Sequence, residues 1–268
     1  MTQFQVQGIR LPRLQPGFTL VELAIVMLIV GILLAGIMMP LSMQMEVRRY
    51  ADTKKTMDQI NEALIGFVLM NGRLPCPADP ALADGTAGAG LERPACTAAG
   101  LNFGVIPWAT LNVPETDEWN GRVTYRVTAG FADAVPSTAG CSPPATPANA
   151  SFALCDSGDL KVRSRATNGT PYDVTNVALP AVYVSHGKNG YGAYRSNGIQ
   201  IPRAPSNTDE YVNSSPTTVF FFSRDKADAV SGCNDAANTP PLCEFDDLVA
   251  FVPLTTLMNR MVVSGKLP

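Results

Sequence analysis

A single carboxylate, Glu22, stands inside a run of apolar residues and glycines that extends from Phe18 to Met39 and is otherwise broken only by Thr19. An ionised carboxylate in such a run costs about 2.5–3.5 kcal/mol if the run enters lipid, so something must offset it. Cleavage after Gly17 would supply a cation: the new α-amine of Phe18 would lie one helical turn from Glu22, beside the positive end of the helix. The amine of a neighbouring chain would serve equally well, which makes Glu22 an assembly contact. The other reading is a lone glutamate at a membrane interface, where water tolerates it.

The remaining reactive groups point away from catalysis. The one histidine, His186, follows Ser185 and precedes Gly187. Adjacent residues do not establish a Ser/His/Asp arrangement, which is recognised by geometry, and a hydrogen-bonded loop histidine is the simpler reading. Asp117, Glu118, Asp246 and Asp247 read as surface carboxylates. There is no Walker loop, no dinucleotide-binding glycine pattern and no H-E-x-x-H, so neither an enzyme activity nor a cofactor is expected.

Six cysteines, Cys76, Cys96, Cys141, Cys155, Cys233 and Cys243, all follow the apolar run. None forms a C-x-x-C pair, which removes support for zinc ribbons and thioredoxin-like motifs. Three disulfides made in an oxidising compartment are the better reading, with free buried cysteines as the alternative. Sequence leaves the connectivity open. The sequential pairing Cys76–Cys96, Cys141–Cys155 and Cys233–Cys243 is favoured because each pair brackets a loop rich in Pro, Gly or Ala.

The elements that must position these groups follow from periodicity. The 22 residues from Phe18 to Met39 would make roughly 33 Å of helix at about 1.5 Å per residue, matching a bilayer core of about 30 Å. Beyond Pro40 the helical pattern continues, with Met57, Ile60, Leu64, Phe67 and Val68 three or four apart and Lys54, Lys55, Asp58, Asn61 and Glu62 on other faces. Asn71-Gly72 and Pro75 stop it. Short strands are expected at 122–128, 179–185, 217–222 and 248–252, and a terminal helix at 253–263. Loops rich in Pro, Ala, Gly and Ser separate them at 77–100, 132–150 and 202–216. One long helix followed by strands indicates an α+β fold with an antiparallel sheet against the helix. The organisation is a leader at 1–17, a helix at 18–70 with a membrane span at 18–40, and a globular domain at 71–268.

Composition narrows the partners. A chain of 268 residues with 46% hydrophobic and 16% charged residues can bury a sizeable core. Its net charge of -3 gives no broad basic surface, so nucleic acid is not indicated.

Gly17-Phe18-Thr19-Leu20-Val21-Glu22 followed by the apolar run resembles the class III signal of type IV prepilins and pseudopilins. The resemblance implies cleavage between Gly17 and Phe18 by a prepilin peptidase, methylation of the Phe18 amine, pairing of that amine with Glu22, and a filament core of packed N-terminal helices. The implied partners are other pilin or pseudopilin subunits, the peptidase, an inner-membrane assembly platform and membrane lipid. The domain would lie in the periplasm before assembly, and the filament at the cell surface or as a periplasmic pseudopilus after it. Gly31 and Pro40 sit where subunits of this family carry helix-weakening residues.

Farther on, the resemblance comes in patches. NGRLPCPA at 71–78 is similar to the helix-to-loop junction of large prepilin-like proteins, and DEWNGRVTYRV at 117–127 to the Trp-Gly strand opening of secretion pseudopilins. YVSHGKNGYG at 183–192, together with Phe245 to Leu248, resembles their glycine loop and closing strand. In the major pseudopilin that region binds calcium. Here Lys188, Asn189 and Tyr191 stand where acidic ligands would help, leaving Asp246 and Asp247 as the hard-oxygen candidates. Two carboxylates rarely make a cage, so no metal is assigned and a strand-opening cap is the plainer role. Bulk and the presence of Glu22 point to a minor or tip subunit that can sit in a shaft. A principal subunit, a type II secretion pseudopilin and, from another class, an adhesin or membrane-anchored binding protein are the alternatives.

Overall fold

The computed structural model describes Gly17 and residues 19–98, 100–135 and 149–267, with the side chains of residues 34–42 outside that set. The chain divides into two units, one ending at Arg48 and the other running from Arg49 to Pro268.

α1 (Leu20–Asn71) is one helix of 52 residues that passes through Gly31 and Pro40. In the first unit Leu20, Leu23, Met27, Leu28 and Leu33 are all exposed. Among the described residues no helix is long and apolar enough to cross a membrane. The expected span includes Phe18 and the side chains of residues 34–40, which lie outside them.

In the second unit α1 buries Thr53, Met57, Ile60, Leu64 and Val68, a stripe spaced by three or four residues. Burial of each large apolar side chain contributes roughly 1.5–3 kcal/mol. The helix ends where Gly72 adopts φ +71 and its N–H donates to Val68 O at 2.7 Å. A Cβ at Gly72 would meet Asn149 O at 2.1 Å, so the close approach requires glycine as much as the turn does.

The main sheet is antiparallel and ordered β1-β2-β5-β7, from β1 (Phe103–Val105), β2 (Thr124–Val127), β5 (Ala181–Ser185) and β7 (Leu248–Val252). β2, β5 and β7 fall within expected strands, and α5 (Leu254–Val263) within the expected terminal helix. β5 is buried along its whole length. Its Ala181 and Tyr183 join the α1 stripe in one core, while Val182 and Val184 join Leu160, Val162, Leu179 and Phe221 in another. One face of the sheet thus meets α1 and the other meets a second sheet. The buried tyrosines are satisfied by carbonyls: Tyr183 OH donates to Met57 O and Tyr125 OH to Pro75 O, each at 3.2 Å.

A second sheet, not expected from the sequence, lies beyond the antiparallel one that meets α1. It is ordered β4-β3-β6, from β3 (Lys161–Arg165), β4 (Pro171–Asp173) and β6 (Phe220–Phe222), and β3 runs parallel to β6. β3 reads Lys-Val-Arg-Ser-Arg, which hides its strand character. Its arginines are covered by rings, with Arg163 4.3 Å from the Phe220 centroid and Arg165 4.6 Å from that of Phe222.

The loop expected at 202–216 contains α4 (Asp209–Asn213), capped by Thr208 Oγ1, which accepts the Tyr211 N–H at 3.2 Å. Short turns α2 (Trp108–Leu111) and α3 (Ala129–Ala132) complete the helices. Cys76–Cys96 and Cys233–Cys243 are disulfides, as the sequential pairing requires. Cys155 is also disulfide-bonded, and its expected partner Cys141 lies outside the described residues.

Candidate functional site

At the head of α1, Thr19 and Glu22 cap each other. The Thr19 N–H and hydroxyl donate to Glu22 Oε2 at 2.9 and 3.0 Å, and the Glu22 N–H donates to Thr19 Oγ1 at 3.2 Å. This reciprocal pattern satisfies two of the amide donors that a helix start leaves without partners. It also holds the carboxylate next to the amide that joins Thr19 to Phe18, whose own placement lies outside the described residues. Sequence reasoning assigned Glu22 to an amine and missed Thr19, although the T-x-x-E spacing was the signal for it. A Cβ at Gly17 or at Gly31 would meet nothing within 4 Å, so the fold itself asks for glycine at neither position.

A second constellation lies in the globular unit, where Glu210 of α4 meets Asp246 and Asp247 at the start of β7. One carboxylate oxygen from each residue lies within 4.8 Å of those of the others. Glu210 is 1% exposed, and Asp247, expected at the surface, is 7% exposed. At an effective dielectric of about 20, two like unit charges about 4 Å apart repel by roughly 4 kcal/mol. Burial, then the charge of Asp247, pushes the Glu210 carboxyl well above the usual range. Burial also raises Asp246, against the pull of the Asn189 and Lys188 amides.

Neighbouring donors fix the three carboxylates. Asn189 Nδ2 donates to both Glu210 oxygens at 3.0 and 3.1 Å, and the Asp246 N–H donates to Glu210 Oε1 at 2.8 Å. Asp246 Oδ2 accepts the N–H groups of Lys188 and Asn189, each at 3.0 Å. Gly187 makes that approach possible, since a Cβ at its φ of +55 would come within 2.4 Å of Asp246 Oδ1. Asp247 Oδ2 accepts Asn213 Nδ2 at 2.8 Å. Lys188 and Asn189 therefore serve as holders of carboxylates rather than as poor replacements for them. Asp246 caps the loop after β5, not its own strand.

α4 is held by an adjacent ion-pair network. Asp209 accepts from Arg165 at 2.6 Å and from Arg224 at 2.9 Å. Asp235 accepts the Asp209 N–H and the Cys243 N–H, each at 2.9 Å. The loop closed by Cys233–Cys243 thus anchors the helix that presents Glu210.

The residues suggestive of hydrolase chemistry are arranged otherwise. The Ser185 hydroxyl donates to Asp117 Oδ2 at 2.6 Å, not to a histidine. His186 Nε2 lies 2.8 Å from Thr124 Oγ1, and its Nδ1 lies 3.4 Å from Asp247 Oδ1. Both side chains are enclosed, with Ser185 0% and His186 1% exposed. Asp117, expected at the surface, is 5% exposed and accepts the N–H groups of Trp119 and Gly121 at 2.9 Å. Burial raises its pKa despite those bonds. It organises the turn that opens β2, and its role is structural.

Residues 12–38 match the prokaryotic N-terminal methylation motif, the signature of type IV pilins and pseudopilins. The motif marks a family of structural subunits rather than a class of enzyme. No curated protein and no solved structure matches the chain.

Proposed function

We propose that this chain is a prepilin, cut between Gly17 and Phe18 by a prepilin peptidase, methylated on the Phe18 amine, and assembled through α1 with other pilin or pseudopilin subunits. The observation that carries this reading is the methylation motif at residues 12–38, which takes in the first part of a helix whose apolar side chains stand exposed from Leu20 to Leu33. Such a surface needs lipid before assembly and neighbouring helices after it. The span at 18–40 anchors the precursor in the inner membrane, and the disulfides of the globular unit support a location on the oxidising, periplasmic side. Removal of 1–17 leaves residues 18–268, a large body for a subunit repeating at helix-core spacing, so the chain is a minor or tip subunit. The assembled filament stands at the cell surface or as a periplasmic pseudopilus.

Intact-mass measurement of the mature chain in cells with and without the peptidase tests this. The expected species begins at Phe18 and carries one added methyl group, and it is lost in peptidase-deficient cells. A mature chain that retains Arg10 and Arg13 overturns the reading. Labelling of sheared filaments then separates tip from shaft, and label spaced continuously along the shaft would make this the principal subunit.

A further inference from the structure

We propose that Asn168 is an acceptor for N-linked glycosylation, taking an oligosaccharide from a polyisoprenyl diphosphate donor. The proposal rests on the reading above in one respect only, that the globular unit reaches the outer side of the membrane.

Three segments carry the N-x-S/T acceptor pattern: Asn149-Ala150-Ser151, Asn168-Gly169-Thr170 and Asn213-Ser214-Ser215. So short a pattern recurs by chance, and the fold has to choose among its copies. Transfer onto a folded chain asks for an asparagine nitrogen without a partner and a hydroxyl residue at the surface, because the added group is bulky and must project into solvent.

Asn213 fails the first condition. It is 0% exposed, its Nδ2 donates to Phe222 O at 2.9 Å and to Asp247 Oδ2 at 2.8 Å, and its Oδ1 accepts the Phe222 N–H at 2.7 Å. Asn149 fails the second. Its hydroxyl residue, Ser151, is 2% exposed, and the Ser151 N–H donates to Gly72 O at 2.9 Å where the chain presses against the end of α1.

Asn168 meets both conditions. It stands in the turn between β3 and β4, with Asn168 and Thr170 exposed on either side of a buried Gly169. The turn is well tied, since the Ala166 N–H donates to Thr170 O at 2.9 Å and the Gly169 N–H donates to Ala166 O at 2.8 Å. Asn168 Oδ1 accepts the Thr170 N–H at 3.0 Å, which fixes the carboxamide by its oxygen and leaves Nδ2 with no partner among the described residues. Glycine is required between them: its φ is +85, and a Cβ there would come within 2.8 Å of the Asn238 carbonyl. The middle residue thus packs inward while the two that a transferase must handle stay at the surface.

In the transfer, Asn168 Nδ2 attacks the anomeric carbon of the donor sugar. The new C–N bond forms as the bond from that carbon to the diphosphate oxygen breaks, the polyisoprenyl diphosphate leaves, and one amide proton passes to a base of the transferase. Nothing is oxidised or reduced. The turn leads straight into β4, an edge strand of its sheet whose Tyr172 is 51% exposed. A glycan at Asn168 would screen that edge from pairing with another chain.

The test maps the mature chain purified from its native host. Trypsin separates the three patterns, placing Asn149 in peptide 127–161, Asn168 in 166–188 and Asn213 in 204–224. A glycan mass is expected on 166–188, fragmenting to a sugar on Asn168, while the other two peptides stay bare. Asn168→Gln should abolish it and Thr170→Ala should do the same, whereas Thr170→Ser, which keeps a hydroxyl, should retain it in part. Thermal unfolding should stay at the wild-type temperature in all three, and Thr170→Ala keeps the test open should Asn168→Gln fail to fold. A bare 166–188 peptide overturns the proposal, as does a sugar mapped to Thr167 or Thr170, or a glycan that persists in Asn168→Gln. Intact mass of the same preparation reads the N-terminus: a chain cut at Phe18 and bare at Asn168 sinks this proposal alone, and a glycosylated chain that retains Arg10 and Arg13 sinks the prepilin reading alone.

Discussion

Thr19 and Glu22 share one turn of helix and satisfy each other, the Thr19 N–H meeting Glu22 Oε2 at 2.9 Å while the Glu22 N–H meets Thr19 Oγ1 at 3.2 Å. In the precursor this pair closes the helix start. After cleavage the Phe18 amine would enter the same turn and compete with Thr19 for the carboxylate. Charge favours the amine, because it brings a full positive charge to the carboxylate whereas the Thr19 N–H and hydroxyl are neutral donors. The two partners imply two separable roles for Glu22.

Thr19→Ala removes only the cap and should cost about 1 kcal/mol of helix stability at its first turn. Glu22→Ala removes the cap and the amine's partner together. Membrane insertion of the alanine form should become easier by up to about 3 kcal/mol. Its globular unit should keep its disulfides and its protease resistance, while its recovery in sheared filaments should fall well below that of Thr19→Ala. Equal recovery of the two variants at equal expression would mean that capping, not pairing with the amine, is what Glu22 contributes.

Gly17 has open space around it, so a leucine there should leave the fold and insertion unchanged. The peptidase should nevertheless fail to cut, because the cleavage motif calls for a residue without a side chain beside the scissile bond. Immunoblotting would then show only the longer precursor in the membrane. Normal processing of Gly17→Leu would detach the glycine from the cleavage reaction.

Non-reducing peptide mapping should recover Cys76 with Cys96 and Cys233 with Cys243. Their separations of 20 and 10 residues correspond to about 3 kcal/mol of chain entropy each. Their losses should differ in kind. Removing Cys76–Cys96 frees a loop that Arg73 and Glu92 also clasp, at 2.8 and 2.9 Å, and should leave the core folded. Removing Cys233–Cys243 loosens the loop that carries Asp235, and with it the seat of α4. Protease sensitivity around α4 should therefore rise in Cys233→Ser and stay at the wild-type level in Cys96→Ser, with limited proteolysis as the readout.

Local pattern made some of this fold legible and left the rest dark. The α1 stripe, β7 and α5 were readable because their apolar periodicity is uninterrupted, and β5 because burial on both faces makes it a continuous apolar run. β3 was unreadable since its arginines lie under Phe220 and Phe222, a contact that no local window contains. The same limit governed the acidic site. Asp246 and Asp247 carried a resemblance, but Glu210 stands 36 residues from Asp246 in sequence and meets it only in the fold, where the Asp246 N–H donates to it. His186 was correctly read as a bonded loop residue, and only its geometry disclosed that Asp247 is what it faces.

One substitution made twice on α1 separates its two duties. Leu64 is fully buried in the same core as Tyr125, Tyr183 and Leu257, so Leu64→Ala should lower unfolding stability by about 2–5 kcal/mol. Leu28, 64% exposed, touches no core in its unit, and Leu28→Ala should leave the urea midpoint of the globular unit unchanged. In a filament the order reverses. Leu28 would face neighbouring helices, and its loss should reduce recovery of the subunit from sheared filaments while the soluble readouts stay at wild type. Leu64→Ala should reduce recovery only in proportion to the folded protein that remains. A matched loss of stability in both variants would mean that the first half of α1 is part of the folded core after all, and that its exposed leucines are not held in reserve for assembly.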